Sequence, residues 1–147
     1  MSVARLFACA LVCTAAGACS LGQTSSSSET QSIPEEKQAV IARMRSIALR
    51  PLVDWERETP PSCTSPRLAE ARSLVLAAAR MQTPEEQGLD VVIEGGSWVL
   101  EVADAARQHR CPDVARGLYD AVIATYTGSA YAALRQRAQI GIEDLRQ

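Results

Sequence analysis

The stretch Asp113-Val114-Ala115-Arg116-Gly117-Leu118-Tyr119-Asp120-Ala121-Val122-Ile123-Ala124-Thr125-Tyr126 decides the fold class. Its apolar residues Ala115, Leu118, Tyr119, Val122, Ile123 and Tyr126 recur at three- and four-residue steps, which places them on one face of a helix rather than one face of a strand. Thr127-Gly128 breaks the run. Ser129 then stands where a cap is needed for a further helix, in which Tyr131, Leu134, Ala138, Ile142 and Leu145 keep the same spacing.

Upstream, Ser97 reads as the cap of a helix with Trp98, Val99, Val102, Ala103 and Ala106 turned inward, stopping at Cys111-Pro112. Before it, Thr83-Pro84-Glu85-Glu86 is a capping box that opens an element reaching about Glu94. There Val91-Val92-Ile93 reads equally as a short strand, and Gly95-Gly96 ends the element in either case. Ser65-Pro66 opens another helix with Leu68, Ala71, Val75, Ala78 and Ala79 along one side, ending near Gln82. A second capping box, Ser32-Ile33-Pro34-Glu35, starts the first helix, whose stripe is Val40, Met44, Ile47, Ala48, Leu52 and Trp55. Pro51 falls inside that stripe and predicts a kink or an end near Arg50. Six helices with short connections predict an all-α fold of antiparallel helical hairpins.

The rest of the composition agrees. The chain has 147 residues, 47% of them hydrophobic and 22% charged, enough for one folded domain, which we place at residues 33–147. A formal charge of −2, a pI near 5.4 and few aromatic residues exclude a basic, base-stacking surface, so no nucleic-acid partner is expected.

The run from Val114 to Tyr131 resembles the second helix and exit turn of a tetratricopeptide repeat, with an aromatic, a Val-Ile pair, a tyrosine and a turn of Gly-Ser type. In the 34-residue frame of that family, Val99, Val102, Ala103 and Ala106 fall on the packing positions of the first helix, and Ala115, Tyr119 and Val122 on those of the second. The resemblance implies a tetratricopeptide-like region over residues 97–145 and a protein-binding role. Departures are Thr127 at the turn proline, Val122 at a small position and Ala106 at an aromatic one. Gln136 and Arg137 sit at apolar positions of the next frame, which makes the last helix a cap.

The first 18 residues carry Arg5, an apolar run from Leu6 to Val12 and Cys13, and a small-residue tail at Ala15-Ala16-Gly17-Ala18, which is the layout of a secretory signal. The run is far below the ~20 apolar residues that span a bilayer. Ala16-Gly17-Ala18-Cys19 resembles the lipobox of bacterial lipoproteins, although Ala16 stands where that family usually has Leu, and Ala16-Gly17-Ala18 also fits the ordinary signal-peptidase rule. The lipoprotein resemblance implies diacylglycerol on Cys19 and stable membrane anchoring through several acyl chains. Ser20 in place of Asp is similar to lipoproteins passed on to the outer membrane. Residues 19–32 are polar and Ser/Thr-rich, a flexible tether reaching at most ~45 Å when extended.

Of five cysteines, Cys9 and Cys13 leave with the signal and Cys19 carries the lipid. Cys63 and Cys111 remain as an even pair in an oxidising compartment, and we expect them to form a disulfide. A metal site built on them with His109, the single histidine, has too few ligands, and no metal or cofactor is expected. Gly95-Gly96-Ser97-Trp98-Val99 lacks the closing glycine of a nucleophile elbow. Glu56/Glu58 and Glu85/Glu86 sit in loops or first helical turns, where carboxylates favour a helix start without acid-base work, and no catalytic residue is assigned. Arginine outnumbers lysine 14 to 1, with Arg135, Arg137 and Arg146 grouped near the C-terminus. Together with Trp98, Arg135 and Arg137 are the expected partner contacts. The reading is a lipid-anchored, periplasm-facing adaptor that holds another cell-envelope protein. The alternatives are a pilotin-like chaperone for an outer-membrane secretion subunit and a small helical cell-wall-active enzyme.

Overall fold

In the computed structural model, residues 35–81 and 84–147 are described, and they form helices α1 (Glu35–Glu56), α2 (Pro66–Met81), α3 (Pro84–Gln87), α4 (Leu89–Gln108), α5 (Pro112–Thr125) and α6 (Ala132–Asp144). A single 3₁₀ turn, Ser129–Tyr131, precedes α6, and no strand occurs among the described residues. The signal segment, Cys19, the tether, Ser32 and Thr83 lie outside them. The chain divides at Ser32, and all six helices belong to the unit Ile33–Gln147.

α4 is the hub because its apolar face is wide. Val91, Val92, Trp98, Val99, Leu100, Val102, Ala103, Ala105 and Ala106 are all buried, and the polar residues Asp90, Glu94, Ser97, Glu101, Asp104 and Gln108 fall on one narrow stripe toward solvent. It touches α1, α2, α5 and α6. Paired contacts fix the directions. Lys37 meets Asp90 at 2.7 Å, Arg45 meets Glu101 at 2.7 Å, and Trp55 meets the His109 ring at 5.0 Å between centroids, so α1 and α4 advance in the same sense. Arg137 reaches Asp104 and Arg107 reaches Asp144, so α6 also runs with α4, while α2 and α5 return between them. Hydrogen bonding to the Lys37 ammonium holds Asp90 below the usual carboxylate range.

Gly95-Gly96 does not end a helix, contrary to expectation. Both glycines are buried inside α4, and Val91-Val92-Ile93 is helical with them. The reason is tertiary. A β-carbon at Gly96 would come within 2.6 Å of Leu134 Cδ1 and 3.0 Å of the Tyr126 ring, so the missing side chain lets α6 and the end of α5 approach α4. Ser97 is correspondingly no cap, since its hydroxyl donates to the Ile93 carbonyl one turn back. The break falls earlier, at Gly88, whose φ of 87° is a left-handed conformation that suits glycine.

Three further boundaries move. α1 continues through the buried Pro51 to Glu56 instead of ending near Arg50. The carbonyl that Pro51 leaves without a helical donor belongs to Ile47, an exposed residue, where water can serve it. Ser129 begins a 3₁₀ turn rather than capping α6 directly. The helix before Cys111 stops at Gln108 and closes with two bonds, from the Cys111 amide to the Ala106 carbonyl at 2.8 Å and from the Arg110 amide to the Arg107 carbonyl at 3.0 Å. That is the Schellman pattern, with Arg110 at φ 59° where glycine is usual. Ser65 behaves as expected: its hydroxyl accepts from the Arg67 amide and donates to Glu58 at 2.7 Å.

Cys63 and Cys111 are joined, with Cα atoms 5.3 Å apart across 48 positions of sequence. The bond ties the α1–α2 loop to the α4–α5 corner. Close to it Trp55 is wholly buried, donating from Nε1 to the Ser62 carbonyl at 2.8 Å and taking the ring of the half-buried His109 edge-on.

Candidate functional site

α1 and α2 leave between them, on the side away from the disulfide, an apolar groove of about 330 Å³. Met44, Ile47 and Ala48 form one wall and Leu74, Ala77, Ala78 and Met81 the other, with Trp98 of α4 between them and Gln87 at the α3 end. The local sequence explains the gap. α2 carries two stripes: Leu68, Ala71, Val75 and Ala79 face the core, while Leu74, Ala78 and Met81, spaced i, i+4, i+7, fall beside it. Ala77 and Ala78 on the α2 wall are too short to meet α1 above Trp98. The first stripe of α1 diverges in the same way: Leu49, Leu52 and Trp55 are buried, but Val40 and Ile47, both expected inward, are exposed.

Ile47 is 59% exposed and Met81 73% exposed, so the walls present large apolar surface to water at about 25 cal/mol per Å². Trp98 itself is only 1% exposed, which corrects its expected role as a protruding contact. Its indole N–H is buried with no acceptor among the described residues. Ordinary buried polar groups are paired, so an orphan donor on a residue that lines a groove is a feature to explain.

A second depression, of about 270 Å³, is polar: Glu56, Glu101, Asp104, Gln108 and Arg137 line it with Leu52 and Ala105. Both Glu101 oxygens accept from Arg45, at 2.9 and 2.7 Å. Asp104 accepts from the Tyr119 hydroxyl through Oδ1 at 2.6 Å and from Arg137 through Oδ2. Burial, followed by the bond to Asp104, pushes the Tyr119 hydroxyl up to about 12. Burial does the same at Tyr126, with Tyr131 adding to it. Two of the three carboxylates therefore hold helices together through arginine. Among the described residues no group of three His, Cys, Asp or Glu side chains could hold a metal ion, and no helix is long and apolar enough to cross a membrane.

The expected contact arginines are engaged in the fold. Arg135 donates to the Tyr126 carbonyl at 2.7 Å and the Gly128 carbonyl at 2.6 Å, closing the C-terminal end of α5. Arg137 links α6 to α4 through Asp104 and faces the polar depression. Neither lies with Trp98. The groove walls went unread in the sequence because Met44, Ile47 and Ala78 were assigned to the core; the legible signal was the second α2 stripe ending at Met81. No protein-family model, characterised protein or solved structure matches this chain.

Proposed function

We propose that this chain is a lipid-anchored adaptor that holds another protein of the cell envelope against the groove between α1 and α2. One observation carries the reading: an open apolar groove with Ile47 and Met81 on its walls and Trp98 between them. Exposed apolar surface of this kind marks a docking site more often than a catalytic one, and the carboxylates of the polar depression are mostly bound to arginine. The mode is segment-in-groove binding. Cys19 carries the lipid, the segment 19–32 is the tether, and the body faces the periplasm from the outer membrane; the lipobox-like Ala16-Gly17-Ala18-Cys19 supports this part. The buried small residues Ala103 and Ala115, on α4 and α5, support a tetratricopeptide-like hairpin there.

The test combines labelling with capture. Cells producing the chain are fed an alkyne fatty acid, and the chain is crosslinked and recovered from membranes. The expected result is a lipid label and a membrane location that Cys19→Ser removes, with a defined envelope protein crosslinked near the groove. An unprocessed cytosolic chain, or no crosslinked partner from intact cells, overturns the proposal.

A further inference from the structure

We infer that Cys63 is a modification site for a small thiol that carries a carboxylate: the thiol bonds to the Cys63 sulfur and frees Cys111. The two halves of the disulfide differ in access. Cys63 is exposed on the α1–α2 loop, while Cys111 is 2% exposed at the α4–α5 corner, its sulfur 3.7 Å from the His109 carbonyl. Thiol–disulfide exchange needs a thiolate to reach one sulfur from the side opposite the other, so the outer sulfur is attacked and the inner one leaves. The new bond joins the incoming sulfur to Cys63 Sγ as the Cys63–Cys111 bond breaks. Cys111 Sγ departs with the electron pair and takes up the proton that the incoming thiol gave to water. The incoming thiol is oxidised to a disulfide and Cys111 is reduced, so no further oxidant or reductant is required. Cys111 is the N-cap residue of α5, which puts the departing charge at the positive end of a 14-residue helix.

A cavity beside the bridge sets the kind of thiol. It measures about 110 Å³, and Cys63, Leu68, Arg72 and Val114 are among its walls. At roughly 30 Å³ for each water, it holds a group of a few heavy atoms and not a peptide segment. Arg72 is the one charged residue among the described residues that line it; it is exposed and forms no ion pair with a described residue. Glu58 accepts from the Ser65 hydroxyl, lies 3.9 Å from Arg67, and does not line the cavity. Arg110 and Asp113, both exposed, flank Cys111 in the sequence and offset each other. The charge that an incoming thiol meets is therefore that of Arg72, which attracts a carboxylate and repels an ammonium. Other arginines of the surface lack ion pairs too. Arg72 differs from them in sharing a cavity with an exposed cysteine of the disulfide.

Neither the adaptor role nor the groove enters this chemistry. The test uses the full chain with Cys9→Ser, Cys13→Ser and Cys19→Ser, which leaves the one disulfide. Mercaptoacetate and cysteamine, an anionic and a cationic thiol of similar size, are each added to the folded chain, and the reaction is stopped with N-ethylmaleimide. Peptide mass spectrometry then locates the mixed disulfide and the alkylated cysteine. Rates are divided by those for the same chain unfolded in urea, which cancels the reactivity of each thiol. Mercaptoacetate is expected on Cys63 with the alkyl group on Cys111, and its normalised rate should exceed that of cysteamine by at least about fivefold at low salt, the effect of one charge at contact range in water. In 1 M salt the two rates should converge. Arg72→Gln, at an exposed position, should bring them together at low salt with the melting temperature held, and Arg72→Lys should keep them apart. A mixed disulfide on Cys111 or shared evenly, reaction of the unfolded chain only, or a rate ratio indifferent to Arg72→Gln overturns the inference. So does reduction by a thioredoxin-type protein thiol when neither small thiol reacts.

Discussion

The C-terminal helices close around α4 by interlocking, whereas the N-terminal pair meets α4 along its length but leaves a groove between its own two helices. On the C-terminal side two glycines face two tyrosines: Gly96 of α4 lies against Tyr126, and Gly141 of α6 lies against the ring of Tyr119, which is fully buried. On the N-terminal side alanines face alanines and methionines, and the layer stays open above Trp98. Small residues thus have two opposite effects. Opposite a large ring they allow close packing, and opposite one another they leave space.

The strongest way to break the comparison is to remove the bond that joins its two sides. Cys63→Ser with Cys111→Ser removes a crosslink across 48 positions and should cost up to about 4 kcal/mol, read as a lower denaturant midpoint. Next comes the interlock. Gly141→Ala places a methyl in the Tyr119 ring, which Asp104 and the core hold still, and should cost about 2–3 kcal/mol despite the gain in helix propensity. Ala78→Leu adds three carbons on the open side and should instead be neutral or stabilise by about 1 kcal/mol, because it fills space. If both substitutions behave alike, the contrast between the two sides is wrong.

Smaller effects sharpen it. Arg110→Gly relieves a left-handed arginine beside the disulfide and should raise stability by up to about 1 kcal/mol. The tyrosines supply a pH signature confined to the interlocked side. Tyr119 and Tyr126 titrate near 12 in the folded chain and near 10 when unfolded, so their contribution is whole below pH 10 and is lost as pH rises through 12. Tyr119→Phe should flatten that fall in an alkaline unfolding series while lowering stability at neutral pH by about 1 kcal/mol, the worth of the bond to Asp104. Ile47→Glu should change stability by less than about 0.5 kcal/mol, since its side chain is already in water.

The helices were readable wherever an apolar stripe and a local stop signal agreed. α5 is the case in point: its stripe from Ala115 to Tyr126 is buried as expected, with Ile123 at the edge. α4 was cut in two because glycine pairs usually end helices, and only a partner 38 residues away, Leu134, gives Gly96 its other purpose. Pro51 misled for the same reason: a local rule met a tertiary environment in which the helix continued. On the reading that assigns Cys9 and Cys13 to a signal and Cys19 to a lipid, counting leaves Cys63 with Cys111, and those two are joined. Of the groove, the residues were legible and the opening was not. Whether Met44 and Ala78 meet or stand apart depends on how two helices lie over Trp98, and periodicity carries no such distance.

The disulfide has a mechanical consequence for the groove. It fastens the hairpin of α1 and α2 at the loop end, next to the fully enclosed Trp55 and Leu68, while Ile47 and Met81 at the other end are bathed in water. The hairpin is therefore built like tongs with a riveted hinge. Thermal opening should be steepest at the jaws, with amides near Met44 and Ala78 exchanging before those near Trp55.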